Sequence, residues 1–119
     1  MHTVVETPPF LAAAKAAGMT DEVRRQVVDA IARDPELGTI MEGTGGFRKF
    51  RLAKPGRGKR GGFRVVSYHH SEGLPVFLIT VFGKNEKDNL TKAERNALHG
   101  MSTVLAANYK AKAERKVKT

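Results

Sequence analysis

The chain has 119 residues, 40% hydrophobic and 28% charged, which suits an ordinary soluble globular domain with one core. It has no cysteine, so disulfide frameworks and thiolate chemistry are excluded, and a reducing cytoplasm is the expected location. No apolar run approaches the length of a membrane span, and MHTVVETPPF lacks the charged and apolar regions of a signal peptide.

In chain order, His2 to Glu6 reads as a short strand with Val4 and Val5. Thr7 is placed to cap a helix starting at Pro8, where proline's missing N–H does no harm, and Gly18 stops that helix. Thr20 opens a second helix, with Asp21 and Glu22 in its first turn and Val23, Val27 and Ile31 on one apolar stripe. Pro35 ends it. Two short helices with a short link predict an α-hairpin lying on a sheet.

The sheet follows. Phe47 to Leu52 alternates, with Phe50 and Leu52 on one face and Phe47, Lys49 and Arg51 on the other. Phe63 to His70 is a second β-branched and aromatic run. Ser71-Glu72-Gly73 is a turn, and Leu74 to Phe82 is a third strand, apolar enough to be central. Thr91 and Glu94 form a capping box before a third helix with Leu98, Met101 and Leu105 on one stripe. The basic stretch at about 108–119 extends this helix or frays as a tail. The expected architecture is one α+β domain over 1–119, ordered β-α-α-β-β-β-α. It is an antiparallel meander with the helices packed on one face and an open basic face opposite.

Net charge is +9, and its location matters more than its size. Between Glu42 and Glu72 there is no acid, while Arg48, Lys49, Arg51, Lys54, Arg57, Lys59, Arg60 and Arg64 carry +8. The remaining 13 bases and 12 acids nearly cancel. Such a surface calls for a polyanion, nucleic acid first and an acidic protein second. Lys49 and Arg51 share a face, and Arg64 on the next strand joins them if the register allows. Three cations on a rigid sheet suit one phosphate, which arginine grips with a bidentate fork. Like charge on one face disfavours a lysine's charged form, which makes Lys49 the candidate general base. A cationic cluster would also stabilise the phosphorane of RNA cleavage.

Other candidates are weaker. The loop Gly56 to Gly62 offers backbone N–H groups to phosphate but lacks the P-loop pattern. His69 and His70 are acid–base residues beside a turn, where solvent exposure is the ordinary reading. His2 and His99 have no partner in sequence. Phe47 and Phe63 serve either as base-stacking platforms or as core. Glu86 and Asp88 read as helix-entry acids. No Cys/His spacing suits a metal, so neither metal nor cofactor is expected.

"GTGGFRKFRLAKPGRGKRGGFRVVSYH" and "LITVFGKNEKDNLTKAERNAL" together resemble a RelE/HigB-type toxin of a bacterial type II toxin–antitoxin system. The likeness runs from about Val4 to Leu98 and is closest to the HigB-like branch, with its G-x-G-G-x-R-K-x-R and GKRGG-x-R signatures. The resemblance implies a RelE-like small RNase fold and ribosome-dependent mRNA cleavage by a cytoplasmic endoribonuclease. It also implies a cognate antitoxin, often a helix-turn-helix protein from the adjacent gene. Family cationic positions match Lys49, Arg51 and Arg64. The later family arginine appears here as Asn85, preceded by Lys84, and the RelE tyrosine falls near Thr91. The expected catalytic set is therefore Lys49, Arg51, Arg64, Lys84 and Asn85. Arg48, Lys54, Arg57, Lys59 and Arg60 are expected to bind RNA or the ribosome. Two other classes fit the charge: a ParE-like gyrase inhibitor and a non-catalytic nucleic-acid-binding domain.

Overall fold

The computed structural model describes residues 2–52, 62–70, 73–82 and 91–117, with backbone alone at 106 and 108–117. The elements are β1 (Val4–Glu6), α1 (Pro8–Ala16), α2 (Asp21–Arg33), β2 (Thr39–Ile40), β3 (Phe47–Leu52), β4 (Phe63–Tyr68), β5 (Val76–Phe82) and α3 (Lys92–Val117). They form a five-stranded sheet in the order β1-β5-β4-β3-β2. The meander β3–β4–β5 is antiparallel, as expected, and β1 lies parallel to β5. The α+β class holds.

The α-hairpin forms where the sequence places it. Thr20 Oγ1 accepts from Val23 N at 3.2 Å, capping α2. Val23, Val27 and Ile31 then pack with Phe10 of α1 against Phe50, Val65 and Leu78 of the sheet. Thr7 does two things at once: its hydroxyl accepts from Phe10 N at 3.3 Å and donates to Leu78 O at 2.7 Å. One side chain thus starts α1 and ties it to β5. We expect Thr7→Ala to lower stability by about 1 kcal/mol, through the lost cap and the lost hydroxyl bond to Leu78 O, which keeps Thr7 N as a donor at 3.3 Å. Urea unfolding should show a lower midpoint at unchanged slope, and an unchanged midpoint would refute the tie.

The third helix departs from expectation. The helices do not share one face: α1 and α2 cover one side, while Leu98 and Leu105 of α3 pack on the other, against Phe47, Val66, Tyr68, Phe77 and Ile79. The reason is the second apolar cluster itself. Strand alternation sends Phe47, Tyr68 and Phe77 to the face opposite the hairpin, and such a patch requires its own cover. Phe47 and Phe63 are core, at 0% and 2% exposure, so neither is a base-stacking platform.

Close packing of α3 depends on the turn before β3. A Cβ on Gly45 would stand 2.7 Å from Ser102 Oγ and 2.9 Å from His99 Cδ2, at a φ of +83° that side chains rarely adopt. Beside this contact the buried Tyr68 hydroxyl meets Ser102, and it lies 3.2 Å from His70 Nδ1. Burial pushes the Tyr68 phenol above its ordinary 10.0, with the Ser102 bond opposing in part. A raised folded pKa contributes stability that is present below the unfolded value and lost as pH rises through the folded one. Tyr68→Phe should therefore remove part of the stability loss seen in denaturant titrations above about pH 10. Equal alkaline declines in both proteins would refute this.

Candidate functional site

β3 and β4 pair so that Arg51 lies directly opposite Arg64 and Lys49 opposite Val66. Directly opposed side chains have Cβ atoms about 5 Å apart, and diagonal ones about 7–8 Å. Arg64 is therefore the opposite neighbour of Arg51 and the diagonal neighbour of Lys49. Opposed like charges destabilise a sheet, so stability alone does not account for this row. Among the described residues no acid pairs with Lys49 or Arg51. The acids Glu6 and Asp21 instead meet Arg24, at 3.3 and 3.7 Å, on the α2–β1 side.

The three cations line one pocket of about 400 Å³, within the range of small-ligand sites. Its other wall is the turn between α2 and β2, contributed by Leu37, Gly38 and Thr39. That wall is not legible in the sequence as part of a site. It arises because β2 pairs Thr39 with Lys49, which brings the preceding turn across β3. Gly38 makes the approach possible: at φ +97°, a Cβ there would lie 2.2 Å from the Lys49 carbonyl oxygen. A second, more apolar recess of about 270 Å³ lies beside the row, between Val66, Thr80 and Phe82 of the sheet and Leu98 and Met101 of α3.

The remaining candidates separate. Arg48 belongs to the opposite parity from Lys49 and Arg51, and its Nη1 donates to Glu36 O at 3.1 Å and Gly38 O at 3.4 Å. Lys54, Arg57, Lys59, Arg60, Lys84 and Asn85 lie outside the described residues, as do Glu86, Asp88 and the hairpin loop. His69 and His70 stand at the far end of β4, at least five residues from Arg64, or about 17 Å of extended strand. His69 is half-buried rather than exposed: its ring meets His2 edge-on at 5.3 Å, and its Nε2 is buried without a hydrogen-bond partner among the described residues. His70 stacks at 6.3 Å on Tyr68, and His99 faces Gly45. Thr91 and Glu94 complete their capping box, with Thr91 N donating to Glu94 Oε1 at 2.9 Å and Glu94 N to Thr91 Oγ1 at 3.2 Å.

Chemically, the arrangement presents three cations on a rigid two-stranded platform beside a wall that sets what fits next to them. Among the described residues no helix is long and apolar enough to cross a membrane, and no three His, Asp or Glu side chains gather as metal ligands. The family model described as the RelE toxin of the RelE/RelB toxin–antitoxin system matches residues 4–119. With nearly the whole chain matched and an α+β fold compatible with that family, the protein belongs to the RelE toxin family: it is the toxin of a toxin–antitoxin system, with a cognate antitoxin as its partner.

Proposed function

We propose that the protein is a ribosome-dependent mRNA endoribonuclease that acts in the bacterial cytoplasm and stops translation. The observation that carries this reading is the pocket where Lys49, Arg51 and Arg64 converge. RNA self-cleavage requires the 2′-hydroxyl to lose its proton, the phosphorane charge to be stabilised and the 5′-oxygen to gain a proton. Lys49 takes the proton in its neutral amine form and becomes the third cation of the cluster as charge builds on the phosphorane. Arg51 and Arg64, opposed across the strands, hold the non-bridging oxygens as charge builds on them, where fixed donors are most effective. Lys84 and Asn85 follow the end of β5 in sequence and are proposed to serve the leaving group. Lys54, Arg57, Lys59 and Arg60 give the connecting segment a charge suited to ribosomal RNA.

The antitoxin is proposed to be a helix-turn-helix protein from the adjacent gene, and the signatures GTGGFRKFR and GKRGGFR support placement in the HigB-like branch. Brief induction in growing bacteria, followed by mapping of mRNA 5′ ends, tests the activity. New ends inside translated codons are expected. Intact translated messages during full growth arrest would sink the proposal, and DNA breaks in their place would point to gyrase inhibition.

A further inference from the structure

We propose that Arg48 is a positioning residue, which clamps the α2–β2 turn onto β3 and so sets the wall of the cationic pocket without itself holding phosphate. This rests on the proposed reading of the pocket as the RNA site, and it revises the role that charge alone suggests for Arg48.

Strand alternation separates Arg48 from its neighbours. Lys49 and Arg51 line the pocket with Arg64, and Arg48 does not. Its guanidinium turns instead to the turn that follows α2, where one nitrogen donates to the carbonyls of Glu36 and Gly38. Those carbonyls bracket Leu37, and Leu37, Gly38 and Thr39 are the wall facing the three cations. The turn is also held by Leu37, which packs against the core cluster that contains Phe50, and by bonds of its own. Glu36 N donates to Asp34 Oδ1 at 3.1 Å and Leu37 N to Asp34 O at 3.0 Å, both within the turn itself. Beyond it, β2 pairs with β3 over Thr39 and Ile40, and Met41 N donates to Phe47 O at 2.8 Å. Two bonds from a side chain rooted in β3 therefore add polar anchors on both sides of Leu37 to that packing and pairing.

Gly38 supplies the second half of the clamp. Its missing side chain lets the turn backbone settle against the Lys49 carbonyl, 2.2 Å from where a Cβ would stand. Arg48 bonds the turn through its carbonyls, and Gly38 leaves room for the turn to approach β3. Any shift of the wall moves directly against the backbone that carries Lys49. The wall thus sets how deep a phosphate and its sugar sit relative to the Lys49 amine, and reaction rates respond steeply to such placement.

Arg48→Ala separates clamp from phosphate contact. Three readouts on the whole protein suffice: amide hydrogen exchange, salt dependence of binding to a short single-stranded RNA, and single-turnover mRNA cleavage on ribosomes. We expect Leu37 and β2 amides to exchange about tenfold faster or more, with β4 and β5 amides unchanged. The salt slope should stay as in the wild type, whereas losing one phosphate contact lowers it by about 0.7. The cleavage rate constant should fall about tenfold or more while the amplitude, which reports the folded fraction, is kept. Gly38→Ala should loosen the same amides and slow the same step.

A salt slope lowered by about 0.7 overturns the proposal, because Arg48 would then hold phosphate. Unchanged exchange at the turn overturns it as well, as does an unchanged cleavage rate constant in Arg48→Ala. If the wild type itself cleaves nothing, the nuclease reading fails separately, and exchange with the salt slope decides the clamp.

Discussion

Arg64→Ala should abolish growth arrest while leaving a folded protein. Arg64 sits on β4, opposite Arg51 and diagonal to Lys49, and lines the pocket with both. As the only one of the three on β4, it closes the row from the second strand. A phosphorane between the strands therefore loses its β4-side donor when the guanidinium goes. Removing a single fixed donor from a developing oxyanion costs about 2.7 kcal/mol or more, on the order of a hundredfold in rate. The fold loses far less. Arg64 is half-exposed and lies against a like charge, and a surface substitution of this kind changes stability by roughly 0.5 kcal/mol or less. The measurement pairs growth after induction with a thermal melt of the purified variant. A variant that melts like the wild type and still arrests growth would remove Arg64 from the mechanism. One that arrests nothing because it has unfolded would show in the melt.

The cationic row was legible because strand alternation is a strict rule. Once Phe47 to Leu52 is a strand with Phe50 inward, Lys49 and Arg51 must share the other face. Their closeness to Arg64 needed the register, which the segment between β3 and β4 does not reveal. The helix caps at Thr7, Thr20 and Thr91 were legible for the same kind of reason, since each side chain acts on backbone three residues away. Long-range placement was not. β2 is two exposed residues, Thr39 and Ile40, with no periodicity to detect, yet it brings the pocket wall to Lys49. The parallel pairing of β1 with β5 joins Val4 to Val76, and nothing local to either strand encodes it. α3 shows how a correct pattern leads to a wrong placement. Its stripe of Leu98, Met101 and Leu105 was visible, of which Leu98 and Leu105 pack while Met101 stays 38% exposed, but a stripe does not name the surface that covers it. That surface is built from three strands, by Phe47, Val66, Tyr68, Phe77 and Ile79. Arg48 shows the same at the scale of one residue: composition counts it with its basic neighbours, while strand parity and the turn carbonyls of Glu36 and Gly38, which accept from its guanidinium, were not legible.

Lys49→Arg should bind ribosomes as the wild type does and fail to cleave. The substitution keeps the positive charge and the strand position but removes the one function an amine has and a guanidinium lacks, since arginine does not give up its proton in proteins. Losing a general base slows a reaction by about a hundredfold to ten-thousandfold. The structure narrows the other choices. His69 packs edge-on against His2 at 5.3 Å and His70 stacks on Tyr68, both beyond the far end of β4 from Arg64. His99 faces Gly45 beneath α3. No described histidine therefore stands beside the cationic row, whereas Lys49 is in it, diagonal to Arg64 and facing the turn that walls the pocket. Binding is read by co-sedimentation with ribosomes and cleavage by single-turnover assay. Tight binding with cleavage lost assigns the proton to Lys49. Binding with cleavage retained would make Lys49 an electrostatic partner of Arg51 and Arg64 and move the search for the base to residues 83–90. Loss of both would show that the longer guanidinium no longer fits the space left by Gly38 and Thr39, and Lys49→Gln, neutral and unbranched, would then separate fit from proton transfer: restored binding without cleavage keeps Lys49 as the base, and restored cleavage excludes it.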